Sequence, residues 1–197
     1  MSKQKNQLVI YALIIVNVIC YMIELRSSGG LGVSNQALIK MGANYGPLVL
    51  GDHQYYRLFT AMFLHLSLIH IVSNMVALIC FANIARDIYN DFEFLVIYFL
   101  SGIAGNIFSL IVHPMTISAG ASTAIMGLLG CTLAMFALPK DKYNTSNVVE
   151  QAFILLIMNT VGVMGTNVDV AGHLGGFIAG LVLGLIFIAV KRIRRKI

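Results

Sequence analysis

The stretch AGHLGGFIAGLVLGLIFIAV, residues 171–190, is an apolar run that contains a single ionisable side chain, His173. It is long enough to cross a bilayer, because a helix needs about 20 apolar residues to span the hydrocarbon core. The whole chain has the same character: 58% of its 197 residues are hydrophobic and 11% are charged, whereas a soluble domain carries about 25% charged residues. The sequence therefore predicts an all-α integral membrane protein.

Other apolar runs precede this one, and together they predict a single domain, residues 1–197, built as a bundle of six transmembrane helices. The connection between the first and second helices, about 26–68, is long, mixed in polarity and rich in glycine and aromatic residues. Such a connection is expected at the membrane interface instead of in water. The helices are predicted at about 7–25, 69–88, 92–112, 120–138, 148–164 and 172–190.

Lysine and arginine residues are distributed unevenly over the predicted connections. If the N-terminus is cytoplasmic, the outer connections contain only Arg26, Lys40 and Arg57, and the remaining basic residues lie on the inner side. The positive-inside rule then places both termini in the cytoplasm, and we expect the protein in the plasma membrane. The tail KRIRRKI, residues 191–197, directly follows a spanning helix, so we expect it to contact anionic lipid and not nucleic acid.

Polar side chains are costly at membrane depth, so their positions indicate function. They lie at the starts of the second, fourth and sixth predicted helices: His70 with Asn74, then Ser122, then His173. These three helices all enter from the outer side, which brings the polar groups to one face of the membrane. A serine, a histidine and amide or imidazole donors at one depth are the groups that a serine hydrolase needs.

Each of these groups also has a purely structural interpretation. The segment GAST, residues 120–123, is typical of the small-residue surfaces on which membrane helices pack. His173 is compatible with an interfacial histidine, and Asn74 with a hydrogen bond between helices. Taken singly, none of them decides between a packing role and a catalytic one.

Two spacings narrow the chemistry. His65 and His70 are five residues apart, which separates them by roughly 140° around a helix, and the Glu of a zinc-binding HExxH helix is missing. We therefore predict no metal site and no cofactor.

Gly176 and Gly180 belong to a glycine repeat of period four, which lets two helix backbones approach closely and is expected to bring His173 towards Ser122.

Together these residues resemble the rhomboid family of intramembrane serine proteases, and the resemblance extends over nearly the whole chain. It implies a six-helix rhomboid-like fold, with Ser122 as nucleophile, His173 as general base, and His70 and Asn74 as oxyanion donors. The matching segments, in order, are HLSLIHIVSN (65–74), GAST (120–123) and AGHLGGFIAG (171–180).

Three positions depart from the family pattern. Thr123 stands where glycine is common, and Met126 stands where an aromatic residue commonly stacks on the catalytic histidine. Near the end of the second helix, where the family often has Glu, this chain has Arg86 and Asp87. None of these departures removes a group that the chemistry requires.

The predicted mechanism uses a Ser–His dyad, because the later helices contain no carboxylate to complete a triad. Asp169, the one acid near His173, is expected in a solvated loop outside the catalytic unit. By resemblance, the substrate is a single-pass transmembrane protein whose helix unwinds near small residues. Two alternatives stay open: a catalytically inactive rhomboid-like protein that binds membrane clients, and a small transporter with intramembrane polar residues.

Overall fold

The computed structural model describes residues 3–29, 32–138 and 168–194. Within these ranges every element is helical, and the one β-like feature is a backbone pairing of Asn44 with Ser118. Four of the described helices are long and apolar enough to cross a membrane, and a fifth apolar helix is shorter. The main helices are α1 (Lys3–Ser27), α2 (Asn35–Met41), α3 (Arg57–Thr60), α4 (Leu68–Ala85), α5 (Asp91–Val112), α6 (Ser122–Leu133) and α7 (Val170–Arg194).

The observed helices differ from the predicted ranges mainly at their ends. α6 begins at Ser122 instead of 120, because Gly120 has a φ of 147° and is not helical. It ends at Leu133, before the predicted end at 138. There α6 continues as a 3-10 turn, Ala134–Ala137, before the chain becomes extended at Leu138. The predicted helix at 148–164 lies outside the described residues.

The long connection between α1 and α4 folds into short helical pieces instead of an extended loop. Besides α2 and α3 it contains a π-helical turn, Pro47–Gly51, and a 3-10 turn, Ala61–Phe63. Arg57 is buried at its centre, where it donates to the carbonyl oxygens of Ile39 at 2.7 Å and Ala43 at 3.2 Å. Around this point Tyr55, Tyr56 and Phe59 are exposed, as is typical of aromatic residues at a membrane interface.

The centre of the bundle is α6, whose residues Ser122–Thr132 are all buried. A helix that is apolar on every side is expected to be enclosed by others. Here α4, α5 and α7 surround it, and the closest approach is to α7. A Cβ on Gly176 would overlap the carbonyl oxygen of Thr123, and one on Gly180 would overlap that of Gly127. The two backbones are therefore in direct contact along the glycine face of α7.

The opposite end of α7 is tied to α5 by charge. Lys191 forms an ion pair with Glu93 and also donates to the carbonyl oxygen of Ile88 at 2.6 Å. Glu93 additionally completes a capping box with Asn90 at the start of α5. These contacts fix the end of α7 that lies away from His173, so both ends of the helix have defined partners.

Candidate active site

The hydroxyl of Ser122 and the ring of His173 form a hydrogen bond, with 2.8 Å between Oγ and Nε2. The two residues are 51 positions apart in sequence and lie at the first turns of α6 and α7. Ser122 is buried, with an exposed fraction of 7%. As the first residue of α6, it has a backbone N–H without an intrahelical acceptor, so this N–H is free to bind an incoming oxygen.

The position of Ser122 depends on the segment that precedes it. Gly120 donates its N–H to the carbonyl oxygen of Ala61 at 2.9 Å, which holds the turn against the end of the long connection. Gly120 has a φ of 147°, a backbone conformation that residues other than glycine rarely adopt. A Cβ at this position would also lie 3.1 Å from His70 Nε2 and 3.4 Å from Ser122 Oγ. Glycine therefore keeps open the space between these two groups.

His70 presents a defined ring nitrogen to this space. Ser67 caps α4 by accepting from the His70 N–H at 3.2 Å, and the Leu66 N–H donates to His70 Nδ1 at 3.4 Å. When Nδ1 of a neutral imidazole accepts, Nε2 carries the proton and is a donor. His70 can thus offer an N–H towards the side of Ser122 on which Gly120 leaves room.

Asn74 lies one turn further along α4, on the same face as His70. It is fully buried, and neither its Oδ1 nor its Nδ2 has a hydrogen-bond partner in the structure. It does not line the cavity next to Ser122. Of the residues predicted for the site, the structure thus gathers Ser122, His173 and His70 around one space, with Asn74 deeper along α4.

A cavity of about 30 Å³ lies beside these side chains. Such a volume is large enough to admit a water molecule. Apart from His70, Ser122 and His173, its polar lining includes Ser118 and Asp169, and its apolar lining includes Leu66, Ile117 and Val168.

Asp169 differs from its sequence-based expectation as a solvated loop residue. It directly precedes α7, is half-buried, and accepts from the Gly172 N–H at 2.8 Å and from the Ser118 hydroxyl at 2.6 Å. The sequence did contain a signal for the first of these bonds, because Asp is a preferred residue immediately before a helix. Nothing in the sequence pointed to Ser118.

A second buried group was also missed by sequence reasoning. Glu24, in the last turn of α1, is fully buried, and both of its carboxylate oxygens accept from the His65 backbone N–H at 3.1 Å. The His65 ring is buried edge-on to His70, with 5.3 Å between ring centres. Burial and the neighbouring His70 lower the pKa of His65 to about 3, so this ring is neutral near pH 7.

The described residues contain no group of three or more His, Cys, Asp or Glu side chains that could hold a metal ion. Thr123 and Met126, two of the departures from the family pattern, are both buried in α6. Thr123 lies between α5 and α7. A Cβ on Gly105 of α5 would lie 2.8 Å from the Thr123 Cβ. The Thr123 side chain is thus accommodated because Gly105 of α5 has no side chain of its own at this point.

Comparison with known proteins identifies the family. The Rhomboid domain family matches residues 52–190, more than half of the chain. The chain is 33% identical over 174 residues to "Rhomboid-like protease 3" of Toxoplasma gondii and 36% identical over 163 residues to "RHOMBOID-like protein 1" of Arabidopsis thaliana. It is 32% identical over 171 residues to "Rhomboid protease GluP" of Bacillus subtilis.

These alignments cover 86%, 80% and 86% of this chain in the same order. They cover 65%, 41% and 33% of the three relatives, so the chain spans less than two thirds of their length. The family match extends over α4 to α7 and includes all four residues predicted for the catalytic site. The chain belongs to the rhomboid family, whose members are multi-span helical membrane proteins and generally serine proteases.

Proposed function

We propose that this chain is an intramembrane serine endopeptidase in which Ser122 and His173 act as a catalytic dyad. The observation that carries the proposal is the 2.8 Å contact between Ser122 Oγ and His173 Nε2. A nucleophile and a base within hydrogen-bond reach are the minimum that acyl transfer requires. In this arrangement Nε2 accepts the serine proton, so the neutral ring carries its own proton on Nδ1.

In the first half of the reaction, Ser122 Oγ attacks the carbonyl carbon of the scissile peptide while His173 Nε2 takes the hydroxyl proton. The tetrahedral intermediate then collapses, the C–N bond breaks, and His173 returns that proton to the leaving amine. The products of this half are an acyl ester on Ser122 and the released amine fragment. In the second half, water loses a proton to His173 and attacks the ester carbonyl carbon. The bond from that carbon to Ser122 Oγ then breaks, His173 returns the proton to Oγ, and the acid fragment is released.

The negative charge on the carbonyl oxygen requires donors that are already in place. Three candidates converge on this role: the Ser122 backbone N–H at the start of α6, the His70 Nε2–H, and the unpartnered Asn74 amide. The gap maintained by Gly120 between His70 and Ser122 supports the placement of the oxygen there. We propose His70 and Asn74 as the side-chain donors of the oxyanion site.

The proposed substrates are single-pass transmembrane proteins, cut near the outer face of the membrane. The site lies at the N-terminal ends of α4, α6 and α7, so these helices run away from it in the same direction. Lys191, Arg192 and Arg194 lie at the far end of α7. By the positive-inside rule, that end and the C-terminus are cytoplasmic. The proposed setting is the plasma membrane, with both termini inside.

The decisive experiment is a cleavage assay in detergent with a model single-pass substrate, comparing the parent with Ser122→Ala. We expect the parent to cut the substrate and to react with a fluorophosphonate, and Ser122→Ala to do neither while remaining folded. Substrate binding without cleavage by the parent would identify a client-binding protein instead. Cleavage by Ser122→Ala at a substantial rate would overturn the assignment of the nucleophile.

A further inference from the structure

We infer that Ser118 and Asp169 form a clamp that sets the separation of Ser122 and His173, with Asp169 acting as a positioning residue and not as a third catalytic group. This inference rests on the proposed function, because it assigns a role in aligning the proposed dyad. Both residues line the same cavity as Ser122 and His173. The bond that joins them, from Ser118 Oγ to Asp169 Oδ2, measures 2.6 Å, which is the length of a charge-assisted hydrogen bond.

The clamp connects the two segments that carry the dyad. Ser118 precedes Ser122 by four residues, and Asp169 precedes His173 by four residues. The Asp169 backbone carbonyl accepts from the His173 N–H at 3.0 Å, so one helical turn separates Asp169 from His173. The Ser118–Asp169 bond and the Ser122–His173 bond therefore join the same two segments, at positions four residues apart in each.

Each side of the clamp is itself anchored. Ser118 exchanges two backbone hydrogen bonds of 2.9 Å with Asn44 in the long connection. The Asn44 amide donates to the carbonyl oxygen of Asn106 on α5 at 2.9 Å. On the other side, Asp169 Oδ1 caps α7 through the Gly172 N–H. The bond thus joins two points that have little freedom of their own.

Glycine at position 172 is part of the same arrangement. A Cβ there would lie 2.6 Å from Asp169 Oδ2 and 2.9 Å from its Cγ. The Asp169 side chain therefore folds back over the first turn of α7, in the space that a side chain on residue 172 would occupy. This folding directs Oδ1 to the helix and leaves Oδ2 for Ser118.

The geometry separates a clamp from a triad acid. A triad acid must hold the second ring nitrogen of its histidine, but the described hydrogen bonds of the Asp169 carboxylate go to Ser118 and Gly172. Asparagine at position 169 keeps one oxygen, which can cap α7 through the Gly172 N–H. Its NH2 group replaces the second oxygen and can donate to the Ser118 hydroxyl, which accepts as well as donates. Removal of the acceptor or of the Ser118 hydroxyl should therefore be harmful, whereas removal of the charge alone should be tolerated.

The test compares Ser118→Ala, Asp169→Asn, Asp169→Ala and the double alanine variant in one cleavage assay, together with the rate of fluorophosphonate labelling. We expect Ser118→Ala and Asp169→Ala to lower kcat by about tenfold to a hundredfold, because a displacement of about 1 Å can cost about a hundredfold in rate. KM should stay within about twofold, since the clamp positions the dyad. Asp169→Asn should stay within about tenfold of the parent and above Asp169→Ala.

The double variant should be no slower than Asp169→Ala, because both substitutions remove one shared bond. Ser101→Ala is the matched control, since Ser101 is a buried serine of α5 whose hydroxyl bonds to Ile97 within its own helix. Ser118→Ala leaves the helix cap intact and so tests the clamp even if Asp169→Ala does not fold.

The inference fails if Ser118→Ala has the same kcat as Ser101→Ala, or if Asp169→Asn is as slow as Asp169→Ala. It also fails if the losses in kcat from Ser118→Ala and Asp169→Ala multiply in the double variant. All of these outcomes are read in a parent that cuts and labels through Ser122. Failure of the proposed function would appear earlier, as a parent that does neither.

Discussion

The two halves of the candidate site are prepared to different degrees. On the α6–α7 side, Ser122 and His173 are already hydrogen-bonded and their helices touch backbone to backbone. On the α4 side, the Asn74 amide is buried without any partner. A buried unpaired amide costs about 1–3 kcal/mol, and such a cost is expected where a group waits for a charge that forms only during reaction. In the proposed mechanism, the Ser–His dyad is therefore hydrogen-bonded before a substrate arrives, whereas the proposed oxyanion donor Asn74 has no partner.

Disruption of the Ser122–His173 pair should cause the largest loss of turnover. His173→Ala removes the base, and we expect turnover to fall by at least about a thousandfold, as in other serine enzymes whose catalytic residues act as one unit. The Ser122→Ala/His173→Ala double variant should be no slower than either single variant. His113→Ala, which removes an exposed histidine, is the control. A double variant much slower than both singles would show that the two residues do not act together.

Substitution on the α4 side of the site should reduce turnover less and should not lower the stability of the protein. Asn74→Ala removes a donor, and we expect kcat to fall by roughly 10²–10³, while the midpoint of thermal unfolding stays unchanged or rises because no native hydrogen bond is lost. Asn17→Ala is a matched control: Asn17 is equally buried but lies on α1 and donates to the Leu13 carbonyl oxygen. Full activity of Asn74→Ala would remove this residue from the proposed oxyanion site.

The close contact of α6 and α7 can be tested at the glycines. Gly176→Val and Gly180→Val should both lower activity, with about a hundredfold loss for Gly176→Val if His173 moves by about 1 Å. The unfolding midpoint should fall as well, because the added side chain meets the α6 backbone. Gly51→Val is the control, since a Cβ there would have no neighbour within 4 Å. Parent-like rates in both α7 variants would contradict the packing role.

The smallest effect is expected from metal chelation. A dyad with an oxyanion site needs no metal ion, so incubation with a chelator should leave the cleavage rate of the parent unchanged. The measurement is turnover before and after chelation, with and without added zinc. Activity that a chelator abolishes and zinc restores would replace the dyad with a metal mechanism.

The sequence predicted the parts of the fold that depend on local composition. Long apolar runs indicate where α4, α5 and α7 begin, and the observed starts at Leu68, Asp91 and Val170 lie within two residues of the predicted ones. The range predicted for α6 was too long at both ends, because hydropathy detects neither the non-helical conformation of Gly120 nor the change to a 3-10 turn at Ala134.

The candidate site was predicted as a set of residues, but its geometry could not be predicted from the sequence. Spacing along α4 places His70 and Asn74 on one face, yet only the packed structure reveals that His70 reaches the cavity while Asn74 lies deeper. Contacts over long separations, such as Ser118 with Asp169, depend on the register of one helix against another. No local pattern encodes that register.

The buried carboxylate of Glu24 bears on the order in which the chain is completed during synthesis. Its described hydrogen bonds come from the His65 amide, 41 residues later in the chain. At about 5–20 residues per second, the ribosome needs several seconds to add that distance. During this interval the Glu24 carboxylate lacks the His65 N–H that it contacts in the folded protein. We therefore expect α1 to reach its final position only after the segment that leads into α4 has been made.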